Sequence, residues 1–178
     1  LLSDILILER ANGWSFDRVG WGRIGDETLH AIAGVRTFTD RILGRAPAYC
    51  RAQSSHLATH LLAGMEQAVT GEAVQGHDVP VDARIAACFG HDTGVQSLGG
   101  LLNIEWQSKS FFPNQTPPAG AIVFEVHRDV SSGDHFVRLF FIVPTMDQMV
   151  NATPMSLHYP PSRTPIGFPR SRGRGTSM

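Results

Sequence analysis

The chain has 178 residues, of which 42% are apolar and 17% charged, and its formal net charge is -1. That length suffices for one domain with a real core, or for a large piece of a bigger one, and the composition excludes a disordered chain. The charge gives no basis for nucleic acid or an anionic membrane as partner, and no apolar run approaches the length of a membrane span.

Residues 1–10 are apolar enough for a strand or a buried helix, and length together with Asp4 favours the helix. No initiator Met and no positively charged region precede this stretch, so it lacks the marks of a secretory signal and reads as an element entered midway. Asn12-Gly13 breaks it, and Gly20-Trp21-Gly22-Arg23 continues as a loop. Asp26 is the expected N-cap of a helix to about Leu43, with Leu29, Ile32, Ala33, Val35, Ile42 and Leu43 at its apolar positions. Gly44 and then Pro47 end it. A second helix is expected from Ser54 or Ser55 to about Val69, striped by Leu57, Leu61, Leu62, Met65 and Ala68, and stopped by Gly71. A polar loop, 72–80, follows.

Residues 84–95 are the stretch around which the rest is organised. An apolar run, 85–89, meets His91-Asp92-Thr93 between Gly90 and Gly94, and Val95, Leu98, Leu101 and Leu102 then take the spacing of a buried helix face. The pattern predicts strand, tight turn and helix, with an imidazole, a carboxyl and a hydroxyl presented at the turn. In open α/β sheets ligands bind at the carboxyl ends of strands, and the first N–H groups of the following helix favour an anion. Phosphate handling by His91 and Asp92 is therefore one reading. The other is a turn in which Asp92 caps the helix and His91 is partly buried, and spacing alone does not separate them.

Residues 103–120 are irregular, because Pro113, Pro117, Pro118 and Gly120 interrupt regular structure. Two strand-like runs, 121–127 and 135–143, flank Ser131-Ser132-Gly133-Asp134, which is a hairpin signal. A proline-containing tail runs from Thr153, and its basic Gly/Ser piece, 170–178, lacks apolar anchors and is expected to be disordered.

Other chemistry-bearing residues read more simply as structural. His56 and His60 stand four apart on one helix face, a separation that can hold a metal, yet no general base or third ligand accompanies them. Two helix-surface histidines are the plainer reading, and no metal is expected. His127 and His135 fall at the facing ends of the hairpin, partly exposed. Glu125 lies opposite Ile122, Phe124 and Val126 and reads as a solvated carboxylate. Trp14, Trp21 and Trp106 could line a pocket but are more simply structural, and Arg23 is equally an anion anchor or a surface arginine. Cys88, inside the apolar run, reads as a buried free thiol, and a disulfide with Cys50 has no support in the sequence.

At Gly90-His91-Asp92-Thr93, followed by Leu98-Gly99-Gly100, the sequence resembles the histidine acid phosphatases. It is most similar to the bacterial periplasmic branch containing phytase and glucose-1-phosphatase. Gly20-Trp21-Gly22-Arg23-Ile24, Asn114-Gln115-Thr116-Pro117-Pro118-Ala119-Gly120, Val123-Phe124-Glu125 and Thr153-Pro154-Met155-Ser156-Leu157 fall in that branch's order. The resemblance covers most of residues 1 to about 169.

The resemblance implies an α/β fold with a mixed sheet flanked by helices, of which this chain carries an incomplete C-terminal portion. It implies acid phosphatase activity on phosphomonoesters such as phytate or sugar phosphates, without cofactor or metal, in a periplasmic or secreted enzyme that is monomeric at full length. In the family a histidine in an Arg-His-Gly-x-Arg-x-Pro motif accepts the phosphoryl group. His91 matches the second histidine that holds the phosphate, Asp92 the acid that protonates the leaving oxygen, and Thr93 and Asp4 match positions near the substrate. Asp4 stands where Glu is usual, and Gly94 where Asn is frequent. The Arg-His-Gly motif does not occur in these 178 residues, so the resemblance implies half of a site and an inactive chain in isolation. After Pro169 the family's cysteine-containing continuation is replaced by unrelated residues.

Overall fold

A computed structural model describes residues 2–167. Helix α1, Leu2–Ala11, forms where the apolar stretch favoured one, and Asn12-Gly13 ends it. A short 3-10 turn, Val19–Gly22, occupies the expected loop. Helix α2, Asp26–Leu43, has the predicted span, with Gly25 as its N-cap. Asp26 and Glu27 fill the first turn instead, where their charges suit the exposed N–H groups.

Helix α3 is longer than expected and runs Pro47–Thr70. Pro47 starts this helix as well as ending the previous one, since a proline at the first helical position loses no hydrogen bond and has its φ already set. Gly71 caps it in the left-handed region at φ 72°. Only part of the expected stripe is covered: Leu57, Leu61 and Met65 are half-buried, whereas Leu62 and Ala68 are exposed. The buried face of α3 is instead Cys50, Ser54 and Gln67.

Helix α4, Asp92–Leu101, follows the central turn as predicted. The strand before it does not form. Every residue from 80 to 91 is exposed, Ile85 by 87% and Phe89 by 97%. A strand exists only through pairing, and among the described residues this run pairs with nothing. Cys88 is accordingly exposed rather than buried, while Cys50 is buried, and both thiols are free.

The sheet comes from the C-terminal half. Strands β1, Ala121–Arg128, and β2, His135–Val143, form the expected hairpin, in register from Ala121 opposite Ile142 to Arg128 opposite His135. Helix α5, Met146–Val150, opens with a capping box in which Thr145 and Gln148 satisfy each other's backbone N–H. Strand β3, Ser162–Ile166, lies in the proline-containing tail and completes a three-stranded antiparallel sheet in the order β1-β2-β3. Pro165 is tolerated because β3 is an edge strand. Neither α5 nor β3 is anticipated by the sequence reading. The expected disordered tail, 170–178, lies outside the described residues.

One face of the sheet builds the main core: Leu139, Phe141, Val143 and Ile166 pack with Ile104, Trp106 and Phe111. Trp106 is thus structural, stacked on Phe141 at 4.8 Å between ring centroids, and its indole N–H donates to the Gln115 carbonyl. A second cluster, Leu6, Val19 and Leu29, joins α1, the 3-10 turn and α2, with Trp14 packed against it. Trp21 and Arg23 are exposed.

Helix α4 docks on α3 at close range. The Ser54 and Ser97 hydroxyls share a buried hydrogen bond of 2.6 Å. Gly99 and Gly100 have no room for a side chain: a Cβ on Gly99 would stand 2.6 Å from the Trp106 ring, and one on Gly100 would stand 2.5 Å from Cys50 Sγ. Arg45 completes this junction, donating to the carbonyls of Gly99 and Ile104, and its burial lowers the guanidinium pKa.

On the outer face of the sheet, Glu125 is not simply solvated. Its carboxylate accepts from Arg163 at 2.5 Å and contacts His127 Nε2 at 3.1 Å, while Arg163 also lies over the Phe140 ring and His127 stacks on Phe136. His135 is exposed.

Candidate functional site

The candidate site sits at the N-terminus of α4. His91 is the N-cap residue in extended conformation (φ -106°, ψ 161°), and its side chain makes no cap hydrogen bond. It stands 83% exposed, so the partly buried imidazole of the alternative reading is not seen. Asp92 is the first helical residue, with its side chain 31% exposed. A carboxylate there suits the positive end of the helix. Its Oδ1 accepts the backbone N–H of Thr93 at 2.7 Å and also meets His91 Nδ1. Thr93 is exposed, and its backbone rather than its hydroxyl makes this contact.

Asp92 is linked to the rest of the fold by an arginine that the sequence does not single out. Arg36, in the middle of α2, donates from Nε to Asp40 Oδ2 at 2.7 Å and from Nη1 to Asp4 Oδ2 at 2.9 Å. Its Nη2 lies 3.9 Å from Asp92 Oδ2. The hydrogen bond to Asp40 raises the pKa of this guanidinium above its ordinary value, burial works against it, and the fields of Asp40, Asp4 and Asp92 add to it. Of the four sequence-predicted site residues, His91, Asp92 and Thr93 are therefore contiguous at one helix terminus, and Arg36 joins Asp4 to them across α1 and α2. A local signal for Arg36 exists only in its spacing from Asp40, four residues on along the same helix face.

The chemistry available here is an exposed imidazole beside a carboxyl, at a helix end that favours anions. Among the described residues no group of three or more His, Cys, Asp or Glu side chains is arranged to hold a metal ion. His56 and His60 contact each other through their rings, and His60 Nδ1 lies 3.4 Å from His77 Nδ1, which ties the loop after α3 back to that helix. No helix among the described residues is long and apolar enough to cross a membrane.

Residues 21–142 match the family model of the histidine phosphatase superfamily (branch 2). This span includes Arg36, His91, Asp92 and Thr93, and leaves Asp4 outside. Phytase AppA of Escherichia coli (strain K12) is 31% identical over 172 residues, which is 93% of this chain and 38% of that protein. The fold is that of solved phytases. The Hafnia alvei enzyme in complex with tartrate superimposes with a TM-score of 0.80 at 24% identity, covering 94% of this chain and 40% of that one. The Citrobacter braakii phytase gives 0.77 at 24% identity, covering 94% and 41%. The chain thus spans well under half the length of the relatives it matches.

Proposed function

The chain belongs to the histidine phosphatase superfamily (branch 2), and from that membership we propose that it carries the acid half of a phosphomonoesterase site. Asp92 is the proton donor, His91 holds the phosphate, and Thr93 and Asp4 lie toward the substrate. The observation that carries this reading is the terminus of α4, where an open imidazole and a carboxyl stand side by side within the matched segment. Phytate or a sugar phosphate is the candidate substrate, in keeping with the phytase names of the relatives.

In the proposed reaction the nucleophilic histidine of the family's Arg-His-Gly motif attacks phosphorus and the ester P–O bond breaks. The leaving oxygen takes its proton from Asp92, and water then cleaves the phosphohistidine, returning inorganic phosphate and the free histidine. An alkoxide leaves poorly without that proton, so the acid is worth most for alkyl esters. A periplasmic or secreted, monomeric full-length enzyme belongs to the same proposal, as does the description of residues 1–169 as the C-terminal part of its catalytic domain.

A second reading is favoured by the lack of an Arg-His-Gly motif in the 178 residues and by the unpaired, exposed run 85–89. On it the isolated chain is an inert or merely phosphate-binding portion. Incubating the 178-residue chain with p-nitrophenyl phosphate tests the inert reading. In a protein that also carries the Arg-His-Gly histidine, the acid-half reading expects Asp92→Asn to slow glycerol phosphate far more than p-nitrophenyl phosphate. Equal losses on both esters would sink the proton-donor role. Turnover by the native chain above that of Asp92→Asn would sink the inert reading.

A further inference from the structure

The junction of α1, α2 and α4 carries an inference that rests on Asp92 being the proton donor. We propose that Arg36 is a positioning residue, whose guanidinium, seated on α2 by Asp40, fixes the direction of the Asp92 carboxyl at the start of α4. A guanidinium is planar, and its N–H groups form a rigid fork. With Nε bonded to Asp40 and Nη1 to Asp4, the direction of Nη2 is determined, and it faces Asp92 Oδ2.

Asp92 is held from both sides. Its Oδ1 is engaged by the Thr93 N–H and by His91, which leaves Oδ2 as the oxygen turned to Arg36. At 3.9 Å the contact with Arg36 is too long for a hydrogen bond, so it acts through the field of a fixed charge. A carboxyl with one oxygen on a helix terminus and the other facing an immobile cation is confined to one rotamer. Delivery of a proton to a leaving oxygen depends on that confinement, because small misplacements of a reacting group cost rate steeply. Lysine cannot substitute, since an ammonium has no fork with which to engage three helices.

The side-chain rotamer of Asp92 is read by three-bond scalar couplings across its χ1 torsion in the isotope-labelled 178-residue chain. The native chain is expected to show the couplings of a single rotamer. Arg36→Gln is expected to give averaged couplings. Asp40→Ala is expected to do the same, although it touches neither Asp92 nor the charge of Arg36. Asp40→Asn, whose amide oxygen still accepts from Nε, is expected to keep the single rotamer, which a merely electrostatic effect of Asp40 would not allow. A single rotamer retained in Arg36→Gln overturns the proposal, and one retained in Asp40→Ala overturns the seating by Asp40. In a protein that also carries the Arg-His-Gly histidine, Arg36→Gln lowers kcat on the alkyl ester by about ten- to a hundred-fold with KM little changed. A chain without turnover leaves the coupling measurement intact, so failure of the catalytic reading is distinguished from failure of the positioning one.

Discussion

Replacing Gly100 by alanine tests the packing of α4 on α3 most directly. The added methyl would stand 2.5 Å from Cys50 Sγ and 3.1 Å from the Arg45 Cα, one atom a buried side chain and the other backbone. Neither can turn aside as the tip of a flexible side chain would. Overpacking of a filled site costs about 1–3 kcal/mol. The 2.5 Å approach puts this site in the upper part of that range, about 2–3 kcal/mol, and alanine recovers about 1 kcal/mol of helix propensity, so the expected net loss is about 1–2 kcal/mol. Gly94 on the same helix is the control, because a Cβ there meets nothing within 4 Å. Its replacement by alanine should be neutral or stabilising by up to about 1 kcal/mol. Urea unfolding followed by circular dichroism measures both, and in a thermal scan the Gly100 variant should lose roughly 2–8 °C. Relief of the loss by a second change, Cys50→Ala, would identify the sulfur as the obstacle. A Gly100→Ala protein as stable as the native one would refute the close approach of the two helices.

Thiol chemistry provides an independent check on the unpaired run. Cys88 should react with a thiol reagent in the native chain at once, whereas Cys50, buried and with its pKa pushed up chiefly by that burial, should react only on unfolding. Equal native reactivity of both would contradict this burial pattern. The hairpin turn has a definite acid response. Asp129 accepts from the Ser131 hydroxyl and from the Ser132 and Ser131 amides, and these bonds lower its pKa below the ordinary carboxylate value. Its contribution is therefore present above the usual aspartate range and disappears as pH falls through the lowered pKa. The Ser131 and Ser132 amide signals should move over that acid range in the native chain and stay flat in Asp129→Ala.

What the sequence made legible was local. The hairpin emerged from alternation and turn residues within one short span, and α2 from a single period of apolar positions. Pro47 was ambiguous, since the residue that cannot continue one helix is well suited to begin the next. Strand β3 was hidden by prolines that an edge position accepts. The run 85–89 misled in the opposite way: its composition favours a strand, but the partner a strand requires is not in the local sequence. His91 and Asp92 were legible because they are adjacent and follow a recognisable pattern. Arg36 was not, because its link to Asp4 and Asp92 spans helices far apart in the chain.

The exposed passage from 80 to 91 also divides the molecule into two bodies of sequence. Before it, Gln67 ties down the start of the loop by accepting from the Val74 amide and donating to the Val79 carbonyl. Beyond it, α4 is anchored on α3 by the Ser54–Ser97 bond and by the tight seat of Gly99 and Gly100. A protease would find its cut here, in backbone that neither helix nor sheet protects. The two products would not part, because the α3–α4 joint lies across the nick. The part of this passage ahead of Gly90 is also a place where a foreign peptide could be inserted without touching α3, α4 or the sheet.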